Sequence, residues 1–418
     1  MQNDLAGFLS NLIARTSGVR RLLILRGFHL LMSLFAAFIR MGPSTAAAKE
    51  VSRLRFELID NRVFVPATVN GRGPFAFILD TGAPGWFMSQ ELARNLRIAP
   101  SSHKPISGAG EGSSAAEALR IDAIDIGGAH FENQQALATA FGPINQVIGF
   151  RAVDGIVGTP VFERFTVDLD FQTKTLSLVD ARLSDSRDGA ITVPFEFYQG
   201  IPCVDGRIAG IAGRFIIDLG DRSSLTLFGP FWRAHSLDKV FAPTITALTG
   251  YGIGGPIRAL VARVSTVEFG AARANSVITR LSLQKSGAFA DPAIAGSIGL
   301  GMLRRFHVTF DYARKRMLLV RGPDYANADR YDRAGMWIAP VPAGFQIYDV
   351  ITGGPAAKSG LVGGDTIVAI DNGPASAWDI FKLRARLADP HARNSMSIVY
   401  RRAGGSNTAT TLRLRNLL

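Results

Sequence analysis

Two aspartates, Asp80 and Asp218, each stand where an apolar run ends in a glycine turn. Asp80 lies within Phe75–Ser89, which is apolar on both sides of the acid. Such a pattern predicts a buried acid at the end of a β-strand. A buried carboxylate is unfavourable unless it accepts hydrogen bonds or shares a proton with a second acid, and this arrangement shifts pKa values at catalytic sites. These two residues are therefore the first candidates for chemistry.

The segments around the two acids are similar to each other. FILDTGAPGWFMS at 77–89 and FIIDLGDRSSLTL at 215–227 align without a gap and place Asp80 opposite Asp218. Because the similarity extends well beyond the acids, it indicates an internal duplication, which decides the fold class before any single element does.

A second pair of repeated segments supports the duplication. Residues 154–179 and 295–320 align without a gap, and Gly158 and Gly299 end an apolar-apolar-Gly step in each copy. The order and spacing of the repeated blocks agree in both halves. The sequence therefore predicts two copies of one β-rich lobe, residues 49–190 and 191–322.

The two Asp-x-Gly turns, each followed by an apolar-apolar-Gly step, resemble those of the pepsin and retropepsin class of aspartic peptidases. The first turn, DTGA at Asp80–Ala83, matches the retroviral-type motif completely. The resemblance implies two β lobes related by a pseudo-twofold axis, with Asp80 and Asp218 as the catalytic acids. It also implies that the acids are supported by the turn residues Thr81, Gly82, Leu219 and Gly220.

Leu219 departs from the family pattern. The resemblance implies that Thr81 hydrogen-bonds across to the other lobe, and a leucine at the matching position cannot return that bond. Three outcomes are open. The acid pair works but is looser, its pH optimum is altered, or the site binds peptides without cutting them.

A glycine-rich segment follows each acid turn, with Gly at every second position. A Gly-x-Gly string can indicate a dinucleotide site, but only when a helix follows, and here the pattern that follows is typical of a strand. By resemblance, the two segments are flap hairpins that close over a bound peptide, and glycine permits close backbone approach and motion. The predicted flap residues are Gly108, Gly110, Gly250, Tyr251 and Gly252. Tyr251 either contacts substrate or packs internally.

Two carboxyl groups held within hydrogen-bonding distance can hydrolyse a peptide without a metal or a nucleophilic side chain. One carboxylate takes a proton from water and one carboxylic acid polarises the scissile carbonyl, because like charges this close share a single proton. Six histidines are scattered without ligand spacing, which argues against zinc. Ser282–Lys285 fits S-x-x-K but lacks the partner motifs of acyl-transfer enzymes. We expect no cofactor and no metal.

A third unit begins after a polar linker at residues 323–330. Residues 331–418, with Gly353–Leu361 and Gly364–Ile367, closely resemble the PDZ domains of bacterial envelope proteases. The resemblance implies that backbone amides of one loop capture a peptide's C-terminal carboxylate while the peptide adds a strand to the sheet. The candidate loop residues are Gly335, Met336 and Trp337, although Met336 and Trp337 fit a core role equally well. The long helix is predicted at Trp378–Leu387.

The N-terminus and the overall charge bear on location and partners. Residues 1–48 combine arginines, an apolar stretch at Phe28–Ile39 and small residues at 46–48, which predicts a cleaved signal peptide or an uncleaved membrane anchor. Either way the body of the protein is expected outside the cytoplasm. It would lie free in the bacterial periplasm or be anchored to the inner membrane and face the periplasm. The formal net charge is +12 without a dense basic block, so no nucleic acid is expected. The single Cys203 is expected in the core.

Together these features predict a mainly β, exported aspartic endopeptidase with a C-terminal PDZ domain. The expected partners are protein or peptide substrates and a peptide C-terminus at the PDZ domain. A duplicated lobe builds the site within one chain, so a monomer is expected. The alternative is a non-catalytic envelope protein that binds peptides in a degenerate cleft.

Overall fold

The computed structural model describes residues 50–149, 152–180 and 189–418. Strands dominate these residues, so the predicted mainly β fold is confirmed. The predicted export segment at residues 1–48 lies outside the described part of the chain. Among the described residues, no helix has both the length and the apolar character needed to cross a membrane.

The described residues of the first lobe form eleven strands and three short helices. The apolar spacing of Gln90–Leu96 predicts a short helix, and α1 has these bounds. The strands are β1 (Glu50–Arg55), β2 (Glu57–Ile59), β3 (Arg62–Val69), β4 (Arg72–Leu79), β5 (Trp86–Ser89), β6 (Pro100–Ser107), β7 (Ser113–Ile126), β8 (Ala129–Thr139), β9 (Gly155–Val157), β10 (Phe165–Asp170) and β11 (Thr175–Asp180). The helices are α1 (Gln90–Leu96), α2 (Gly142–Val147) and α3 (Thr159–Arg164).

The second lobe repeats this order of elements. Its strands are β12 (Ile191–Pro194), β13 (Glu196–Tyr198), β14 (Ile201–Ile208), β15 (Ile211–Asp218), β16 (Leu225–Leu227), β17 (Ile245–Gly252), β18 (Gly255–Phe269), β19 (Ala272–Ser282), β20 (Gly296–Gly299), β21 (Phe306–Asp311) and β22 (Arg316–Arg321). Its helices are α4 (Gly229–Ala234), α5 (Leu237–Val240) and α6 (Leu300–Leu303), with 3-10 turns at Ala288–Ala290 and Tyr312–Arg314.

Each lobe contains one eight-stranded sheet, and the strand orders are equivalent. The first sheet runs β2-β3-β4-β9-β5-β8-β7-β6, and the second runs β13-β14-β15-β20-β16-β19-β18-β17. In both sheets the strand that leads into the acid turn pairs in parallel with a short strand, as β4 with β9 and β15 with β20. The duplication in the sequence is therefore a duplication of topology.

A third sheet of six strands joins the two lobes. Its order is β1-β11-β10-β21-β22-β12, so each lobe supplies three strands. The lobes meet where β10 pairs antiparallel with β21, with Leu169 opposite Val308. An antiparallel pair at the centre of two matching sets is what a pseudo-twofold axis requires. One continuous core of buried apolar side chains runs through both lobes.

The C-terminal domain has its own core and sheet. It contains β23 (Met336–Val341), β24 (Gly344–Val350), β25 (Thr366–Ile370), β26 (Gly373–Pro374), β27 (Ser395–Arg401), β28 (Asn407–Arg413), α7 (Pro355–Lys358), a 3-10 turn at Ala375–Ala377 and α8 (Ile380–Ala388). The strand order is β23-β24-β25-β27-β28, which leaves β23 at an edge. The helix expected from Trp378 begins at Ile380, because the Asp379 side chain caps it by accepting from the Phe381 and Lys382 amides.

The segment predicted as a linker is fastened to the second lobe. Asp329 accepts a hydrogen bond from Arg305 Nη2 at 2.6 Å and another from the backbone N of Ile278 at 2.8 Å. Its own backbone N donates to Ser276 O at 3.0 Å. Polar residues of this segment therefore attach it to the second lobe as well as interact with solvent.

Candidate active site

Asp80 is held at the end of β4 by the neighbouring strand β9. Its backbone N donates to Val157 O at 2.9 Å. A Cβ built on Gly158 would lie 2.2 Å from Gly85 O. The turn that follows Asp80 can therefore pass this close to residue 158 only because that residue is a glycine. The apolar-apolar-Gly step thus lies beside the first acid turn.

The second turn is built in the same way. Asp218 pairs with Gly299 in the parallel register of β15 and β20. The backbone N of Leu300 donates to Asp221 O at 2.8 Å. A Cβ on Gly299 would lie 2.3 Å from Ser223 O, so this crossing also requires glycine.

The structure brings Asp80 and Asp218 into direct contact. Their carboxyl groups hydrogen-bond to each other. The backbone N of Gly220 donates to Asp80 Oδ1 at 3.1 Å and to Asp218 Oδ1 at 2.9 Å. A Cβ on Gly82 would lie 2.7 Å from Asp218 Cγ, and one on Gly220 would lie 2.4 Å from Asp80 Oδ2. Any side chain at either glycine would therefore push the carboxyls apart.

The surroundings of the pair favour the retention of one proton. Burial raises the pKa of Asp80, and the Gly82 amide opposes that rise. Burial raises the pKa of Asp218 well above its ordinary value, and the negative charges of Asp80 and Asp221 raise it further. Because the two acids interact so strongly, they titrate as one unit. The pair therefore keeps one proton to a higher pH than a single exposed carboxyl would.

Thr81 connects the two turns through two hydrogen bonds. Its Oγ1 donates to Ile217 O at 2.7 Å and accepts from Leu219 N at 3.0 Å, and Thr81 has no exposed surface. Leu219 is equally buried, and its side chain packs in the shared core. The threonine thus makes both of its bonds across the lobes, while Leu219 returns none through its side chain.

Asp221 and Arg280 form a buried ion pair that the sequence analysis missed. Arg280 Nη1 lies 3.4 Å from Asp221 Oδ1, and Nη2 donates to Thr249 O at 3.0 Å. The pair therefore links the second acid turn to strand β17. The repeat alignment places Asp221 opposite Ala83, which marks an acid found in one copy only. Its partner is 59 residues away, and no local pattern identifies it.

The two predicted flap hairpins, β6–β7 and β17–β18, meet at their tips. Gly110 N donates to Ile253 O, and Gly112 N donates to Gly254 O, both at 2.9 Å. A Cβ on Gly110 would lie 2.3 Å from the Gly254 carbonyl carbon, so glycine is needed for this contact.

The remaining predicted flap residues lie close to these tips. A Cβ on Gly108 would lie 2.8 Å from the Ile253 side chain, whereas Gly250 and Gly252 belong to β17. Tyr251 also belongs to β17 and packs edge-on against Tyr348 of the C-terminal domain, with ring centroids 6.3 Å apart. Tyr251 is therefore a packing residue in this arrangement.

The loop predicted to capture a carboxylate already holds one from the same chain. Asp332 accepts from the backbone N of Ala334 at 3.3 Å, of Gly335 at 2.5 Å and of Met336 at 3.1 Å. Burial raises the pKa of Asp332 to about 6, against the opposing effect of these amides. Trp337 lies beyond the loop, in β23. A peptide carboxylate would have to displace Asp332.

Asp60 gathers arginines from all three domains. It occupies the tight turn between β2 and β3 and lies 2.7 Å from Arg62 Nη1, 2.7 Å from Arg222 Nη2 and 3.0 Å from Arg384 Nη1. Burial alone would raise the pKa of Asp60, but Arg222, Arg384 and Arg62 outweigh it and lower the pKa to about 2. Arg222 and Arg384 also flank the ring of Trp337, at 5.4 and 5.5 Å from its centroid. This cluster attaches α8 to both lobes.

Three other buried acids near the site are already engaged. Asp60 and Asp221 pair with arginines, and Asp332 binds backbone amides. In the described ranges, no three His, Cys, Asp or Glu side chains are grouped as a metal ion would need. Cys203 is a buried free thiol that packs near Ile216 on the second lobe.

Comparison with known proteins gives a partial match. Residues 65–161, within the first lobe, match the family model described as "Aspartyl protease". Among solved structures, the aspartic proteinase from Irpex lacteus is similar, with 13% sequence identity and a TM-score of 0.44. The similarity covers 66% of this chain and 98% of that chain. No curated protein matches the chain.

Proposed function

We propose that this chain is an aspartic endopeptidase that hydrolyses peptide bonds with a water activated by Asp80 and Asp218. One observation carries the proposal: the carboxyl groups of the two repeated glycine turns hydrogen-bond to each other across the lobes. The match of residues 65–161 to an aspartyl protease model supports the same reaction class.

The chemistry follows from the position of the shared proton. We assign the proton to Asp218, whose pKa the Asp221 charge raises further, so Asp80 is the charged partner and takes a proton from the attacking water. Asp218 donates its hydrogen bond to the scissile carbonyl and stabilises the charge that develops on the carbonyl oxygen. Gly82 and Gly220 keep the carboxyls in place through their amides, at 2.8 and 3.1 Å from Asp80 Oδ1.

A casein assay tests the proposal. Purified protein is incubated with denatured casein over roughly pH 3 to 8, with and without pepstatin, because a proton-sharing pair works only between its two macroscopic pKa values. We expect cleavage that pepstatin blocks. A complete lack of cleavage over this range would favour the alternative, a peptide-binding protein with a degenerate cleft, which the missing hydroxyl at Leu219 keeps open.

The remaining parts of the chain complete the proposal. Residues 1–48 would export the protein or anchor it facing the periplasm. Residues 331–418 would act as a PDZ domain that recruits or senses peptide termini, with β23 at the edge of its sheet. The two lobes supply both acids from one chain, so the enzyme would work as a monomer.

The Asp221–Arg280 pair predicts a shift in the pH profile. After burial and Asp80, the Asp221 charge is the next cause that raises the pKa of Asp218. In Asp221→Asn the shared proton should therefore leave at lower pH, and the alkaline limb of kcat/KM against pH should move down. Arg280→Gln leaves the Asp221 charge uncompensated and should move the same limb up. Shifts in the same direction for both variants would contradict this assignment.

A further inference from the structure

The C-terminal domain covers the wall of the first lobe on the side of Asp80. Successive residues of a strand face opposite sides, so Phe77 and Leu79 point into the core, whereas Ile78 shares a face with Asp80. Ile78 is only 5% exposed, and it packs in a cluster with Ala339 of β23, which is fully buried. Trp337 and Tyr348 pack against the same cluster. An apolar wall beside the acid pair is thus occupied by the chain itself.

The equivalent wall of the second lobe is covered differently. Ile216, two residues before Asp218, packs with Phe289 and Ile294 of its own lobe and with Ala109 of the first flap. These partners belong to the peptidase lobes. The first wall alone depends on a separate domain, so it alone can be uncovered by moving that domain.

Polar contacts fix the C-terminal domain to a flap as well as to the first lobe. Asp349 lies 2.7 Å from Arg258 Nη2 and accepts from the backbone N of Leu248 at 2.9 Å, and both partners lie in the second flap hairpin. Arg384 pairs with Asp60 of the first lobe at 3.0 Å. Flap opening normally admits substrate. Here it requires that the Asp349 contacts break.

A cavity of about 1070 Å³ lies beside this contact, between the lobes and the groove formed by β23 and α8. Seven arginine and four aspartate side chains line it, so its charge is positive. The backbone N of Arg304, at its wall, donates to Leu300 O, but the Arg304 side chain forms no hydrogen bond or ion pair with the residues that the structure describes. The indole Nε1 of Trp337 is buried without a partner. Planar guanidinium groups in excess suit a ligand that carries several carboxylates.

We propose that the C-terminal domain is an inhibitory cover of the peptidase cleft, and that an acidic peptide entering this cavity releases it. The inference rests on the proposed peptidase function. A peptide carboxylate competes with Asp60 for Arg384, and Asp60 keeps Arg62 and Arg222 when Arg384 leaves. The exchange therefore leaves no buried charge unpaired. Once Arg384 is released, the domain loses its hold on the first wall.

Two single variants test the cover in the full-length protein. Arg384→Ala and Asp349→Ala each remove one attachment, and Arg386→Ala is the matched control because Arg386 pairs with Asp371 inside the C-terminal domain. We expect kcat/KM on a fluorogenic peptide to rise about ten-fold in the first two, as the open fraction increases. Hydrogen exchange at residues 336–341 should rise in the same two variants. Neither quantity should change in Arg386→Ala.

The releasing ligand is tested with a matched pair of peptides. A glutamate-rich peptide should raise the activity of the wild-type protein, and the same peptide with glutamine at each glutamate should not. Arg304→Ala should weaken the response to the glutamate peptide without changing the basal rate. Equal activation by both peptides would refute the proposal that the releasing ligand must be acidic.

The two readouts separate the possible failures. Faster exchange in Arg384→Ala with kcat/KM equal to that of the wild type would overturn the inhibitory cover. Faster exchange with no cleavage by any variant would refute the proposed peptidase function and leave the contact itself supported. Unchanged exchange in both Arg384→Ala and Asp349→Ala would show that these residues do not hold the domain, and the inference would fall.

Discussion

Asp218→Asn and Asp80→Asn are each expected to lower kcat/KM by at least about 10³-fold. An asparagine cannot share the proton, so the pair loses its base or its acid. The double variant should be scarcely worse than either single one, since both residues act in one step. Steady-state kinetics on a fluorogenic peptide measures the loss. Asp170→Asn is the matched control, because Asp170 is a repeated acid whose hydrogen-bond partners, the Gln172 and Thr173 amides and the Thr173 side chain, all lie in its own turn.

Asp218→Asn should be more stable than the wild type at neutral pH, although its activity falls. The folded-state pKa of Asp218 lies above its unfolded value, so this carboxyl stabilises the fold at low pH and loses that contribution as pH rises through the folded pKa. Asparagine remains neutral at every pH. We therefore expect the Tm of Asp218→Asn to equal that of the wild type near pH 4 and to exceed it near pH 7. Full cleavage activity in both asparagine variants would refute the acid pair.

Thr81→Val should give the second-largest effect. It removes the hydroxyl and leaves Leu219 N and Ile217 O buried without partners. Each unpaired group costs about 1–3 kcal/mol, so the free energy of unfolding should fall by roughly 2–6 kcal/mol. Because the same bonds align the two acids, kcat/KM should fall about 10²-fold. Chemical denaturation and steady-state kinetics measure the two effects, and an unchanged unfolding free energy would contradict the brace.

A swap of the brace provides the matched control. Leu219→Thr introduces a hydroxyl at the position related to Thr81 by the pseudo-twofold axis. In Thr81→Val/Leu219→Thr, that hydroxyl should rebuild the connection from the other lobe and recover part of the lost activity. If the double variant were as inactive as Thr81→Val, the two positions would not be interchangeable.

Features repeated along the chain could be predicted from the sequence. The copied segments around Asp80 and Asp218 predicted equivalent turns, because similar sequences adopt similar local structure and glycine permits the same crossings. Helix α1 has the bounds that its apolar spacing predicts, and the structure adds that the Ser89 side chain caps its first turn.

Contacts between distant segments could not be predicted from the sequence. Asp60 meets Arg384 across 324 positions, and each of them reads as an ordinary surface charge in its own segment. Asp332 lies next to the predicted carboxylate loop, yet only the folded turn shows that its own side chain accepts from the amides. The position of the C-terminal domain likewise depends on the shapes of two folded surfaces, which periodicity does not encode.

The joining sheet has an evolutionary consequence. Three strands from each lobe meet at β10 and β21, so one lobe by itself leaves an unpaired edge that a second, identical copy would complete. In such a homodimer, every mutation changes both halves at once, because one gene encodes both. Fusion into one gene removes that restriction: an aspartate at 221 can face an alanine at 83, and an appended domain can rest on one side only. The tandem arrangement thereby allows the two sides of the site to differ.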